Sequence, residues 1–175
     1  MNTKQLFLQE LKDEYNAQFE LSNALEGKSG RLITVCGIFI PLLFGFSSSL
    51  IDEIQDNPIL ESFLTILLVI SLAVAVASIF YSILALRIRS YSHAFLPYDF
   101  FDKVTGELDK EEVKEYGNKN EQELYDEMIE DYLESNKHNL KINHDKSDKV
   151  KIAQYLFLGS LAIVPILVIA YFYFS

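Results

Sequence analysis

The stretch LESNKHNLKINHDKSDKVKIAQYLFLGSLAIVPILVIA, Leu133 to Ala170, decides the fold. Its first half is dense in charge and amide side chains, and the part after Lys151 carries no charge. No Pro or Gly marks the change. One helix is therefore expected to run from water into hydrocarbon without a break. If it extends from 120 to 174 it is a rod of about 80 Å, at about 1.5 Å rise per residue. Residues 139–148 are polar enough to fray or kink it. Such a rod can carry movement or assembly between an aqueous domain and a bilayer, or serve only as a stalk.

Two more stretches have the same oil-like character. Leu32–Ile51 and Ser62–Leu86 contain no charge, nor does Ile152–Ser175. About 20 apolar residues span a bilayer core of about 30 Å. Three such segments in 175 residues are too many for buried helices of a soluble protein. The expected class is an all-α integral membrane protein with three transmembrane helices. Its parts are an N-terminal amphipathic cytoplasmic helix (1–30), a transmembrane hairpin (31–87), an acidic cytoplasmic helical domain (88–151) and a third span (152–175). No cleavable signal peptide is evident, because about thirty polar residues precede the first apolar run.

Orientation follows from short-loop cations. Lys28 and Arg31 precede the first span, Arg87 and Arg89 follow the second, and Lys146, Lys149 and Lys151 precede the third. The 52–61 loop holds Asp52, Glu53, Asp56 and Glu61 and no Lys or Arg. The N-terminus and 88–151 are expected in the cytoplasm and the C-terminus outside, with the chain in the inner membrane. The net charge is −10, and residues 99–148 hold sixteen acidic against seven basic side chains. That sign argues against direct nucleic-acid binding.

Leu8, Leu11, Tyr15, Phe19 and Leu25 recur at helical spacing, and the EGKSG run at 26–30 loosens that helix without necessarily breaking it. The HAFLPYDFF segment around Pro97 reads as an aromatic turn, and a short helix is expected from Asp109 to Gly117. Asn120 with Glu123 reads as a capping box at the start of the next helix, whose stripe runs through Leu124, Met128, Tyr132 and Leu133.

Catalytic signatures are missing: there is no phosphate loop, HExxH or GxSxG. No enzyme activity, cofactor or metal is expected. Cys36 reads as a small buried hydrophobe, and His138 and His144 as solvated polar residues. Arg87 and His93 stand at a separation used by one group of small helical ribonucleases. This is a weak alternative, because Arg87 is also the cation expected at the inner end of a span.

Thr34, Pro41, Ser47, Ser48 and Ser49 give the first span a small, hydroxylated character and are the candidates for lining a pore. Pro41 is expected to kink it. Lys149 and Lys151, at the entry to the third span, are the candidates for gating. Ser71 with Ala75 and Ala73 with Ala77 are small residues four apart, suited to close helix contact. Absence of mid-span charge disfavours an ion-coupled transporter.

The run LEGKSGRLITVCGIFIPLLFGF, the hairpin, the acidic helical stretch and the Leu133–Ile163 entry into the last span together resemble small multi-span membrane effectors of prokaryotic antiviral defence. Both SLATT-type effectors and the membrane accessory proteins of RNA-targeting CRISPR systems share a lysine-containing junction into the first span, here Gly27-Lys28-Ser29. They also share a lysine-bearing helix into the last, here Lys146 to Lys151. No separate ligand-binding module is present, unlike in sensor-carrying members. The resemblance implies a homo-oligomer in contact with membrane lipids that perturbs the inner membrane during infection, under a soluble defence-system partner or signal. The alternative is an anchor or adaptor that recruits a soluble partner through its acidic cytoplasmic domain.

Overall fold

The computed structural model describes residues 3–53, 58–88 and 118–174. The aromatic turn, the Asp109–Gly117 helix and His93 lie outside them. Three helices carry the described chain: α1 (Thr3–Glu53), α2 (Pro58–Arg87) and α3 (Glu121–Phe174). All three are long and apolar enough to cross a membrane. The described fold is all-helical.

Local chemistry sets the ends. α2 opens on Pro58, whose missing N–H is one the first turn leaves unpaired anyway. It closes on Arg87, a cation at the negative end of the helix dipole. α3 opens on the reciprocal capping box: Glu123 N–H donates to Asn120 Oδ1 at 3.0 Å, and Asn120 N–H donates to Glu123 Oε2 at 3.1 Å. From there α3 passes Lys151 unbroken. The polar 139–148 region is helical throughout, as is 26–30 in α1. Pro41 and Pro165 lie inside α1 and α3.

Two compact units are present. The first takes the described parts of Met1–Asn23 and Ser90–His144, and the second those of Ala24–Arg89 and Asp145–Ser175. In the first, α1 packs on α3 through Leu8 and Leu11, both buried, and through an edge-to-face Tyr15–Tyr132 pair with centroids 5.7 Å apart. Lys12 Nζ lies 5.9 Å from the Tyr132 ring centroid. Burial pushes the Tyr132 phenol above its ordinary range. Asn136 Nδ2 donates to the Leu11 carbonyl at 3.0 Å, and Asn143 Nδ2 donates to the Gln18 carbonyl at 2.8 Å. Each step is seven residues on both helices, so the two run parallel in one register.

That seven-residue frame corrects the expected apolar stripe. Phe19 is 46% exposed, and Ser22, at 4%, takes the inward place. Steps of four drift around a helix, whereas alternating three and four stays on one seam. Leu8, Tyr15 and Ser22 keep that seam and Phe19 leaves it.

In the second unit Leu43, Leu64 and Leu167 form one apolar cluster, and Leu25, Ala85 and Val150 form another. Phe39 and Phe157 meet edge to face at 5.8 Å. The buried residues of α2 are Leu64, Leu68, Ser71, Ala75, Ser78, Ser82 and Ala85, again two series spaced by seven. Removing the cap by Asn120→Ala is expected to lower stability by about 1 kcal/mol. Hydrogen exchange on the full chain in detergent should show the loss first in the opening turn of α3.

Candidate functional site

The membrane bundle of the second unit holds the candidate site. Three contacts, each seven residues from the next on both helices, pair α2 with antiparallel α3. Leu64 meets Leu167 in the first apolar cluster. Ser71 Oγ donates to the Ser160 carbonyl at 3.1 Å, and Ser78 Oγ donates to the Ala153 carbonyl at 2.7 Å. Ser71, Ser78, Ala153 and Ser160 have no exposed surface. Such small side chains let two helix backbones approach closely, and each hydroxyl then finds a carbonyl. Cys36 of α1 joins this layer, its Sγ 3.8 Å from Ser78 Oγ.

One step further along the ladder the sequence changes character. Ala85, in the second cluster with Leu25 and Val150, falls at the level of Lys146. The Lys146 side chain is 2% exposed, and its ammonium sits 2.7 Å from Glu26 Oε1, a carboxylate 41% exposed. A buried ammonium is tolerable only with such a partner. The lysines singled out from sequence are more open. Lys149 lies 5.9 Å from the Tyr81 ring centroid, and Lys151 is 3.9 Å from Asp148 with its side chain 61% exposed. Lys146 is the buried lysine of this entry into the span. Its signal is its place in the series Asn139, Lys146, Ala153, Ser160, Leu167, all buried and seven apart.

The pore candidates divide between two faces. Thr34, Pro41 and Ser49 are exposed, and Thr34 Oγ1 donates to the Gly30 carbonyl at 3.0 Å. Ser47 is buried within its own unit and donates to the Phe44 carbonyl at 2.8 Å. The side chain of Ser48 lies outside the described residues. Gly37 and Gly45 share the outward side, where an added Cβ would meet nothing within 4 Å. Of the small pairs, Ser71 and Ala75 face inward while Ala73 is exposed. Arg87 is exposed at the end of α2. Among the described residues no cluster of three or more His, Cys, Asp or Glu side chains could hold a metal ion.

The two serines at the α2 core differ in a way that can be measured. Ser82 Oγ is buried with no hydrogen-bond partner among the described residues, whereas Ser78 donates. Ser78→Ala is expected to cost about 0.6 kcal/mol. Ser82→Ala should be neutral or stabilising, since it removes an unsatisfied buried group. Reversible unfolding in mixed micelles checks both. Glu26→Ala, which takes the close carboxylate away from the Lys146 ammonium, should cost roughly 1–2 kcal/mol after allowance for the exposure of Glu26. Lys146→Met, which removes the charge and keeps the volume, should cost less in the same assay.

The chain matches the family described as PycTM, Pycsar effector protein domain, over residues 11–174. No curated protein and no solved structure matches it significantly. The matched region runs through all three helices long and apolar enough to cross a membrane. The chain therefore belongs to the Pycsar effector transmembrane domain family, and is a membrane-associated effector of antiviral defence.

Proposed function

We propose that this effector is a homo-oligomer of the inner membrane that opens a pore, or otherwise breaches the bilayer, without catalysing a reaction. The observation that carries the reading is the outward face of α1. Thr34, Gly37, Pro41 and Gly45 are exposed, and a Cβ added at Gly37 or Gly45 would meet nothing within 4 Å among the described residues. A helix glycine costs about 1 kcal/mol against alanine. Among the described residues no packing accounts for these glycines, and close approach of another copy would. Thr34 and Ser49 then bring hydroxyls to the assembled surface.

The basic flanks support an orientation with the N-terminus and residues 88–151 in the cytoplasm and the far end of α3 outside. A cytoplasmic signal or defence partner would then act through α3, where Lys149 and Lys151 precede the span. A second reading, an adaptor for a soluble partner, is favoured by Leu6, Phe7, Leu133 and Leu140, which are exposed in the first unit.

Particle mass in nanodiscs, together with dye leakage from vesicles, separates the two. The pore reading expects a closed ring and leakage. Gly37→Leu should abolish both and leave helix content unchanged, because the monomer has room for the side chain. A monomer that binds a soluble partner and leaks no dye would sustain the adaptor and end the pore.

A further inference from the structure

Within the second unit, Lys28 and Arg31 precede Leu32 and Val35 on α1. Lys151 precedes Phe157 and Leu158 on α3. The two helices run parallel here, with Leu25 beside Val150 in one cluster and Leu32 lining the same cavities as Phe157. Both therefore change from cationic to apolar in the same direction. The groove between them holds two adjoining cavities. One of about 410 Å³ reaches Lys151, and one of about 190 Å³ reaches Lys28 and Arg31. Leu32, Gln154 and Phe157 line both. The larger volume lies within the roughly 300–1,000 Å³ of small-ligand sites. Its outer wall is exposed at Tyr155 and Leu158, and that of the smaller cavity at Val35, so both open sideways.

The charges at its mouth differ from the lysines that sit in close ion pairs. Lys4, Lys119 and Lys146 hold carboxylates at 2.6, 2.8 and 2.7 Å. Among the described residues Lys28 and Arg31 have no ion-pair partner, and Lys151 reaches Asp148 only at 3.9 Å. In a chain of net charge −10, three cations line one groove, and among the described residues their one anionic partner is Asp148, 3.9 Å from Lys151. What complements them is a molecule with an anionic head at one end and an apolar tail laid along the helices. Basic pockets between membrane helices take anionic lipid headgroups for this reason.

We propose that this groove is a specific site for one anionic phospholipid. Its phosphate lies at Lys28, Arg31 and Lys151, and an acyl chain lies over Leu32, Val35 and Phe157. The site stands apart from the pore reading, since it needs only a single copy of the chain in a bilayer.

The test uses the full chain, purified in mild detergent and equilibrated with mixed phosphatidylcholine and phosphatidylglycerol, with retained lipid counted by native mass spectrometry. Phosphatidylglycerol should be retained about tenfold over phosphatidylcholine. The triple variant Lys28→Gln, Arg31→Gln, Lys151→Gln should bring that preference close to parity with helix content unchanged. The variant Lys137→Gln, Lys141→Gln, which removes exposed cations elsewhere, should keep it. Val35→Trp, which fills the groove, should lower retention of both lipids. An unchanged preference in the triple variant overturns the site. Displacement of the lipid by excess inorganic phosphate would make it a plain anion site and overturn the lipid assignment. A change in oligomer mass with lipid retention unchanged would show a second copy in the groove, and would overturn it too.

Discussion

Two helices in lipid gain little by hiding apolar surface from each other, because the lipid tails are as apolar as leucine. Contact between α2 and α3 must therefore come from close approach and from hydrogen bonds that lipid cannot supply. Ser71, Ser78, Ala153 and Ser160 provide the first, and the Ser71 and Ser78 hydroxyls provide the second. The rest of the bundle follows from this. Small residues are drawn inward, so bulky ones such as Ile66, Val69, Val76 and Phe80 are left facing outward, where hydrocarbon is their solvent. A core of this kind is the reverse of a soluble one.

The seam between α1 and α3 in the first unit is polar for a different reason. Asn136 and Asn143 each donate to a carbonyl of α1, while their own Oδ1 atoms are buried without a partner among the described residues. Unsatisfied acceptors cost free energy, so these amides do more to fix which residues meet than to tighten the contact. Leucines in their place would bind more strongly and choose less well.

Much of this was legible in the sequence, and the part that was not has a common cause. The three spans, the unbroken entry past Lys151 and the Asn120–Glu123 cap could be read, because charge-free length and capping chemistry are local. Phe19 was assigned to the buried stripe, and Ser22 and Lys146 were passed over, because hydrophobic periodicity does not register a buried position that holds a serine, an asparagine or a lysine. A count in sevens along α3, from Asn139 to Leu167, would have found them. Ser47 was grouped with Thr34 by composition, although a helix turns them to different sides. Resemblance gave the kind of protein, a membrane effector of antiviral defence, through architecture that several groups share. The family match supports that kind and goes no further toward either of the two groups named.

The α2–α3 ladder has a weakness of its own. Two of its rungs repeat, so sliding one helix by seven residues sets Ser78 against the Ser160 carbonyl, or Ser71 against that of Ala153, and keeps one such hydrogen bond while parting Leu64 from Leu167. Lys146 removes this degeneracy. A slide of α3 toward the hydrocarbon would carry its ammonium away from Glu26 and up to the level of Ser78, at a cost of about 2.5–3.5 kcal/mol for a cation deep in a bilayer. The buried lysine thus works as a depth stop: it tells the third helix how far to insert, a setting that Ala153 and Ser160 alone could not supply.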